Sequence, residues 1–170
     1  MAPKSLPVRP TTDRAKQGLF NWLNSRIDLE GISVLDLFAG IGSITFEMLS
    51  RGALHITSVD KNPDCVNFIR KNATQMNGNA IEVFNTDVMI AIERVKSSFD
   101  IVFADPPYEY KKHRDLSERI LSNHLIAPGG WFIIEHPANI VMNDLPNYFE
   151  TRKYGKVHFS FFSSPNKSES

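Results

Sequence analysis

Short apolar runs alternate with longer amphipathic stretches along most of the chain. The runs are rich in Val, Ile and Phe and are bounded by turn residues, which predicts strands. The amphipathic stretches repeat apolar residues three or four positions apart, which predicts helices. Strands are predicted at residues 32–38, 55–60, 80–85, 99–104, 131–136, 148–152 and 157–162. Helices are predicted after Thr12 and at residues 43–51, 63–77, 88–95 and 113–123.

Two of these helices begin with recognisable capping signals. Thr11 or Thr12 can cap the first helix, because a threonine hydroxyl accepts a hydrogen bond from a backbone N–H in the first turn. Asn62 is a cap of the same kind, and Pro63 fits the first helical position that follows it. These signals support the helix starts that the hydrophobic pattern predicts.

The order of the elements predicts an α/β fold. Strands and helices alternate almost throughout, which favours a mostly parallel sheet with helices on both faces. The last two strands differ, because only a few residues around Tyr154 and Gly155 join them. A parallel crossover needs about a dozen residues or more. The last two strands are therefore expected to form an antiparallel hairpin at or near one edge of the sheet.

Length and composition indicate one domain that covers residues 1–170. The chain has 170 residues, 42% of them apolar, which suits a single packed core. Residues 1–10 are expected to form an extended arm and residues 163–170 a flexible tail. The net charge is zero, which does not favour a general nucleic-acid binder. Any contact with nucleic acid must therefore come from local patches.

The remaining composition limits the location and the chemistry. No apolar run approaches the ~20 residues of a membrane helix, and the first residues lack the apolar segment of a secretory signal. The single cysteine, Cys65, cannot form an internal disulfide and is expected to be buried in a protein of the reducing cytoplasm. The histidines show no metal-ligand spacing, so no metal site is expected.

Acidic residues mark one edge of the predicted sheet. Four of the first five strands deliver an acid near their carboxyl ends: Asp36, Asp60, Asp87 and Asp105. Ligands of open α/β sheets bind at this edge. Gly40 and Gly42 let the backbone turn and approach a ligand closely. Asp60 follows Gly40 by 20 residues, the usual place for an acid that binds the ribose hydroxyls of a nucleotide-like cofactor.

The glycine loop favours S-adenosylmethionine (SAM) over a dinucleotide. A dinucleotide fingerprint reads GxGxxG, and here the sixth position is Thr45. Asp36 would lie near the pyrophosphate of a dinucleotide and would repel it. SAM carries a positive sulfonium centre and a ribose but no phosphate, so it suits this acidic edge better.

The stretch DPPY, residues 105–108, predicts transfer to a planar amine. Each proline holds the residue before it in an extended conformation, so the Asp105 carboxylate and the Pro106 carbonyl become two fixed acceptors. Two such acceptors fit the two N–H groups of an exocyclic amine and favour the positive charge that develops on its nitrogen. Tyr108 offers a flat surface on which an unpaired or flipped base can stack.

Three motifs resemble the RsmD family of bacterial 16S rRNA guanine-N2 methyltransferases. They are RPTTDRAKQGLFNWL at residues 9–23, DLFAGIGSITFEMLSRGA at residues 36–53 and DPPY at residues 105–108. The DPPY motif is shared with many amino-methyltransferases, whereas the first motif is more specific to this family. The resemblance implies a Rossmann-like class I SAM-dependent methyltransferase fold, with a seven-stranded, mostly parallel sheet and an antiparallel C-terminal strand.

The same resemblance implies roles for individual residues. Asp36, Gly40 and Gly42 would bind the methionine end of SAM, Asp60 its ribose and Asp87 its adenine. Neighbouring residues complete the candidate cofactor set: Phe38, Ala39, Lys61 and Val88. The target amine would meet the candidate catalytic residues Asp105, Pro106, Pro107 and Tyr108. The implied partner is ribosomal RNA within the small ribosomal subunit, modified by an enzyme expected to be a monomer.

Local cations are the candidates for contact with RNA. The family usually carries a basic β-hairpin ahead of RPTTDR, and this chain starts almost directly at that motif, so the hairpin is expected to be absent. The expected RNA contacts are Arg9, Arg14, Lys111, Lys112 and Arg114, of which the lysines after DPPY adjoin the predicted amine site.

Other functions stay open at this point. The same chemistry could methylate adenine N6 in DNA or RNA, or a protein amide. A SAM-binding module without activity is another possibility, although the intact DPPY stretch disfavours it. A dinucleotide-binding protein is a third, disfavoured by Thr45 in place of the last glycine.

Overall fold

A computed structural model describes residues 12–76 and 78–167, which form one sheet with helices on both faces. The helices are α1 (Asp13–Asn24), α2 (Ser43–Ser50), α3 (Pro63–Gln75), α4 (Val88–Arg94) and α5 (His113–Ser122). The strands are β1 (Ser33–Leu37), β2 (His55–Asp60), β3 (Ile81–Asn85), β4 (Phe99–Ala104), β5 (Ile126–His136), β6 (Tyr148–Tyr154) and β7 (Val157–Ser163). The predicted α/β class is confirmed.

The sheet order puts β1 and β4 at its centre. The order is β3-β2-β1-β4-β5-β7-β6, and β1 pairs in parallel with both β2 and β4. The chain therefore reverses its direction of progress across the sheet after β3, and the carboxyl ends of β1 and β4 lie side by side. β7 pairs antiparallel with both β5 and β6, with β6 at the edge. The predicted C-terminal hairpin is confirmed.

The predicted capping signals are present at α1 and α3. Thr12 Oγ1 accepts a hydrogen bond from Ala15 N at 3.2 Å, so Thr12 is the cap. Asn62 Oδ1 accepts from Asp64 N at 2.9 Å, and Pro63 is the first helical residue. The helix ends at Gln75, two residues before the predicted end at Asn77, which lies outside the described residues. The predicted arm at residues 1–10 also lies outside them.

Strand β5 begins earlier than the sequence pattern predicts. It starts at Ile126 rather than Trp131 and includes the Pro128-Gly129-Gly130 turn signal. The register with β4 shifts between Phe99 and Ile101, which accommodates the extra residues as an irregularity. A side chain at Gly130 would come within 2.8 Å of the Asp100 carbonyl. Gly130 thus allows the two backbones to approach inside the sheet, and the predicted turn does not end the strand.

The core lies on the two faces of the sheet. One cluster packs α1 and α2 against it, with Leu19, Leu23 and Met48 fully buried. The other packs α4 and α5 against the opposite face. Cys65 is buried, as predicted. Ser163 ends β7 and so belongs to the sheet rather than to the predicted tail. Within residues 12–76 and 78–167, no helix is long and apolar enough to cross a membrane, and no group of metal-ligating side chains comes together.

Candidate active site

A cleft of about 480 Å³ opens at the carboxyl ends of the central strands. It lies where the chain reverses direction across the sheet, the usual position of a ligand in an open α/β sheet. All the predicted cofactor residues except Gly42 line it, together with the whole DPPY stretch. The predicted residues in its wall are Asp36, Phe38, Ala39, Gly40, Asp60, Lys61, Asp87, Val88, Asp105, Pro106, Pro107 and Tyr108.

The loop after β1 forms a strained turn under the cleft. Phe38 has a φ of 59°, Gly40 of 58° and Gly42 of 86°. Positive φ is rare for a residue such as phenylalanine, and strain of this kind is concentrated at functional sites. A side chain at Gly42 would lie 2.8 Å from the Phe46 ring. Gly42 is the N-cap of α2. It does not line the cleft, and its contribution is to the shape of the loop.

Asp60 fastens the glycine loop to the end of β2. Its Oδ2 accepts a hydrogen bond from Gly40 N at 2.9 Å, and its Oδ1 accepts from Asn62 N at 2.8 Å. Both carboxylate oxygens are thereby held in place at the wall of the cleft. Each oxygen has a second lone pair and can accept a further hydrogen bond from a hydroxyl.

Asp36 belongs to a buried hydrogen-bonded network below the cleft. It is 1% exposed, and its Oδ2 accepts from the Thr45 hydroxyl at 2.6 Å. The Thr45 hydroxyl also lies 2.7 Å from Ser58 Oγ on β2. Burial raises the pKa of Asp36 to about 7, although the Thr45 hydrogen bond opposes the shift. In the sequence, Thr45 indicated only that the dinucleotide fingerprint is incomplete. In the structure, it connects the start of α2 to Asp36 on β1 and to Ser58 on β2.

Asp87 and Val88 form the far end of the cleft. Asp87 is the N-cap of α4, and its Oδ1 accepts from Met89 N at 2.8 Å. Val88 is buried beside it. Asp87 is exposed, so its other carboxylate oxygen is accessible from the cleft that it lines. This end of the cleft therefore presents one hydrogen-bond acceptor, from Asp87, next to the apolar side chain of Val88.

The DPPY stretch runs along the opposite wall. Asp105 N donates to Leu37 O at 3.3 Å, which extends the pairing of β4 with β1 by one step. Asp105 is half-buried and Pro106 is buried. Tyr108 is 85% exposed, so its ring projects from the cleft into solvent. The acceptors are fixed at the strand end, whereas the aromatic ring stands clear of it.

Tyr110 is a cleft residue that the sequence analysis missed. Its backbone N–H donates to Pro107 O at 2.9 Å, and its ring meets Phe38 edge-on with centroids 5.1 Å apart. The hydroxyl is buried and has no hydrogen-bond partner among the described residues. Burial and then the nearby Asp87 carboxylate raise the pKa of Tyr110. The spacing DPPYxY is the only signal that could have indicated it.

The predicted RNA contacts differ in how the fold uses them. Lys111 and Lys112 are exposed just after the DPPY wall, and Arg14 is exposed in the first turn of α1. Arg114 instead makes two hydrogen bonds to Asp144, at 2.8 and 2.9 Å, and one to Val141 O at 2.7 Å. Its guanidinium is thus occupied within the fold. Arg9 lies outside the described residues.

Solved structures of the same architecture identify the fold class. A hypothetical protein of Thermus thermophilus superposes with a TM-score of 0.81 at 27% identity, covering 95% of this chain and 91% of that one. The 16S rRNA N2 methyltransferase RsmC of T. thermophilus, in complex with AdoMet and guanosine, gives 0.71 at 22% identity, covering 94% of this chain and 45% of that one. The fold is that of the class I SAM-dependent methyltransferases.

Sequence comparison gives the family. Residues 1–163 match the family described as "Conserved hypothetical protein 95". Ribosomal RNA small subunit methyltransferase D of Escherichia coli strain K12 is 33% identical over 147 residues, which cover 85% of this chain and 70% of that protein. The chain belongs to this family, the RsmD family that its three motifs indicated.

Proposed function

We propose that this protein is a SAM-dependent methyltransferase that modifies the exocyclic N2 amine of a guanine in 16S ribosomal RNA. One observation carries the proposal: Gly40 and the acids Asp36, Asp60 and Asp87 form one cleft together with the DPPY stretch. The family membership supports RNA of the small subunit as the substrate. The complex of RsmC with AdoMet and guanosine, on the same fold, supports the pairing of this cofactor with this base.

The cofactor wall fits SAM by its chemistry. SAM supplies an electrophilic methyl group on a positive sulfonium. Asp60 accepts hydrogen bonds from the ribose hydroxyls. Backbone N–H groups already hold both of its oxygens in place, so little freedom is lost when the ribose binds. Asp87 accepts from the adenine amine beside the apolar Val88. The backbone at Gly40 lies against the methionine end. A wall with three carboxylates, Asp36, Asp60 and Asp87, and a single cation, Lys61, suits this cofactor better than a dinucleotide.

Asp36, buried at the base of this wall, and Gly42, outside the cleft, hold the glycine loop in position. The Asp36 carboxylate is buried and bound to Thr45, so it holds the start of α2 against β1. Gly42 allows the turn that brings Gly40 into the cleft. Phe38, Ala39 and Lys61 complete the lining. We therefore assign to Asp36 and Gly42 the positioning of the loop rather than a direct contact with the cofactor.

The DPPY wall orients the amine. Asp105 and the Pro106 carbonyl accept its two N–H groups, which fixes its orientation towards the methyl group and favours the charge that develops on nitrogen. Asp105 then accepts or relays the proton that the methylated nitrogen releases. Pro107 keeps the stretch extended. Tyr108 stacks on the base, which is worth about 1–3 kcal/mol, and its exposure leaves the ring accessible to an incoming nucleotide.

Exposed cations near the cleft hold the RNA backbone. Lys111 and Lys112 follow the DPPY wall directly, and Arg14 is exposed in the first turn of α1. Phosphate contacts of this kind position a substrate without reading its sequence. The substrate is the ribosomal RNA of the small subunit, the enzyme acts as a monomer in the cytoplasm, and the bases that it modifies must be unpaired or flipped.

The proposal is tested by identifying the methylated nucleoside. Purified protein is incubated with labelled SAM and with 16S rRNA from a strain that lacks the modification, either naked or in small subunits. Digestion and mass spectrometry are expected to yield N2-methylguanosine at one site. A different product, such as N6-methyladenosine, would refute the amine assignment. Thermal shift assays with SAM, its demethylated product and NAD provide the cofactor control, since only the first two should stabilise the protein.

A further inference from the structure

The turn between β6 and β7, residues 154–157, lies at the same edge of the sheet as the candidate active site. β7 runs antiparallel to β5, so His158 near its start pairs with His136 at the end of β5. β5 is also the neighbour of β4, whose end carries Asp105. Neighbouring strands are about 4.8 Å apart, which puts the turn roughly 10 to 14 Å along the edge from β4.

This turn is a local concentration of positive charge in a chain of zero net charge. Residues 151–158 read TRKYGKVH, with three lysines and arginines and no acid. Arg152 is engaged, because its Nε lies 3.0 Å from the Glu150 carboxylate. Lys153 and Lys156 are both exposed, and neither forms a salt bridge with another part of the described chain. Two charges therefore point into solvent at the edge of the sheet that carries the cleft.

The turn is held rigidly against α1. The Tyr154 ring packs on Gly18, where even one added carbon would overlap it. The same ring also contacts Phe159, with centroids 6.0 Å apart. Gly155 takes a φ of 64°, which makes the turn tight. The backbone that carries the two lysines is thus fixed relative to the active site, as a surface that positions a substrate requires.

We propose that Lys153 and Lys156 form a phosphate-binding surface, the β6–β7 corner, which holds the RNA substrate beside the cleft. This inference rests on the proposed function. The corner adjoins α1 on one face of the sheet, and Lys111 and Lys112 precede α5 on the other face. RNA that presents a base to Asp105 continues in both directions from it. Its backbone therefore meets cations on both sides of the cleft.

The composition of the corner favours RNA over a protein partner. Its exposed residues are two lysines and a glycine, Lys153, Lys156 and Gly155, without an exposed apolar anchor. Lysine is depleted at the centre of protein–protein interfaces, where aromatic residues and arginine predominate. Lysine contacts to phosphate, in contrast, supply much of the affinity for nucleic acid.

The test compares two double charge reversals. In the first, Lys153→Glu is combined with Lys156→Glu. In the matched control, Lys71→Glu is combined with Lys96→Glu, because both of these lysines are exposed, away from the cleft, on α3 and before β4. Both variants change the net charge equally. Methyl transfer is measured on naked 16S rRNA over a range of salt concentrations and on assembled small subunits, and SAM affinity is measured by calorimetry.

The corner variant is expected to raise the KM for RNA about tenfold and to reduce the slope of log affinity against log salt by roughly one to two. Its SAM affinity and melting temperature should equal those of the control. Equal KM values in the two variants would overturn the inference. A loss confined to assembled subunits would also overturn it, because the corner would then contact a protein. Failure of the wild type to methylate any RNA would instead refute the proposed function.

Discussion

The two walls of the cleft differ in how completely folding alone arranges them. On the cofactor wall, Asp60 and Asp87 already accept hydrogen bonds from nearby backbone N–H groups, and Asp36 accepts one from a buried threonine hydroxyl. On the DPPY wall, which is called the substrate wall from here on, Tyr108 is 85% exposed, and Lys111 and Lys112 just after it extend into solvent. The side chains of the cofactor wall are preorganised by hydrogen bonds, whereas the aromatic and basic side chains at the substrate wall are exposed to solvent.

This difference separates the cost of binding the two substrates. A preorganised wall loses little conformational freedom when its ligand arrives, so most of its contact energy appears as affinity. The side chains of the substrate wall must be immobilised by the RNA, which offsets part of their contact energy. Variants on the cofactor wall should therefore change binding of SAM, and variants on the substrate wall should change turnover or the KM for RNA.

The largest effect is expected for Asp105→Ala, the sharpest test of the substrate wall. Removing this acceptor should lower kcat by about 10²–10³-fold, the usual loss for one preorganised group that stabilises developing charge. SAM affinity should change less than threefold, because the Asp60 and Asp87 contacts remain. The measurements are single-turnover methyl transfer and calorimetric titration with SAM.

Glu109→Ala is the matched control for this variant. Glu109 is an exposed acid that lines the same wall four residues further on. It should retain nearly full activity, since no role in orienting the amine is assigned to it. If Asp105→Ala were as active as Glu109→Ala, the orientation of the amine by the DPPY stretch would be wrong.

The next largest effect is expected for Asp60→Ala on the cofactor wall. This change removes the ribose acceptor and also leaves the N–H groups of Gly40 and Asn62 without their partner. Losing a charged acceptor of this kind costs about 1.5–3 kcal/mol, which corresponds to a SAM affinity roughly 10 to 100 times weaker. Asp64→Ala, an exposed acid on α3, should bind SAM normally. Equal affinities in the two variants would contradict the assignment of Asp60.

The sequence predicted the cofactor wall better than the substrate wall, for a physical reason. Strand ends, glycine turns and caps depend on local backbone preferences, so Asp36, Asp60 and Asp87 could be assigned to one sheet edge from spacing alone. The early start of β5 was missed, because Pro128 to Gly130 look like a turn when the neighbouring strand is not known. Gly130 allows a close approach between β5 and β4 that only the tertiary structure reveals.

The residues that sequence reasoning missed depend on contacts between distant elements. Tyr110 enters the cleft because its ring meets Phe38, more than seventy positions earlier in the chain. Arg114, which is predicted to contact RNA, also binds Asp144, and no local sequence pattern indicates this pairing. Lys156 became a candidate RNA contact only once the structure showed that Tyr154 packs on Gly18 and fixes the turn at the active-site edge. Such side-chain partners cannot be read from periodicity.

The third prediction concerns the buried Asp36 of the cofactor wall. Its pKa is raised to about 7 by burial, from an ordinary value of 3.8. The folded state therefore holds this proton more tightly than the unfolded state does. The resulting stabilisation is complete below the unfolded pKa and is lost as the pH rises through about 7.

Asp36→Asn removes this titration and keeps an oxygen for Thr45. The free energy of unfolding is measured with denaturant at pH 5 and at pH 8. Between these two pH values, the wild type should lose roughly 1–3 kcal/mol more stability than the variant. All other groups titrate alike in both proteins, so the difference isolates Asp36. Parallel pH profiles would mean that the carboxylate is ionised throughout, and the wall would then contain a buried charge.

The smallest effect is expected for Lys111→Glu combined with Lys112→Glu, two exposed lysines that follow the substrate wall in the chain. Single exposed charges contribute little, because solvent and salt screen them. The KM for RNA should rise about three- to tenfold and should approach that of the wild type as salt is increased. SAM affinity should not change, since neither lysine lines the cleft. A weaker affinity for SAM would mean that these lysines support the cofactor wall, and the division of the cleft into a preorganised and a substrate-completed wall would fail there.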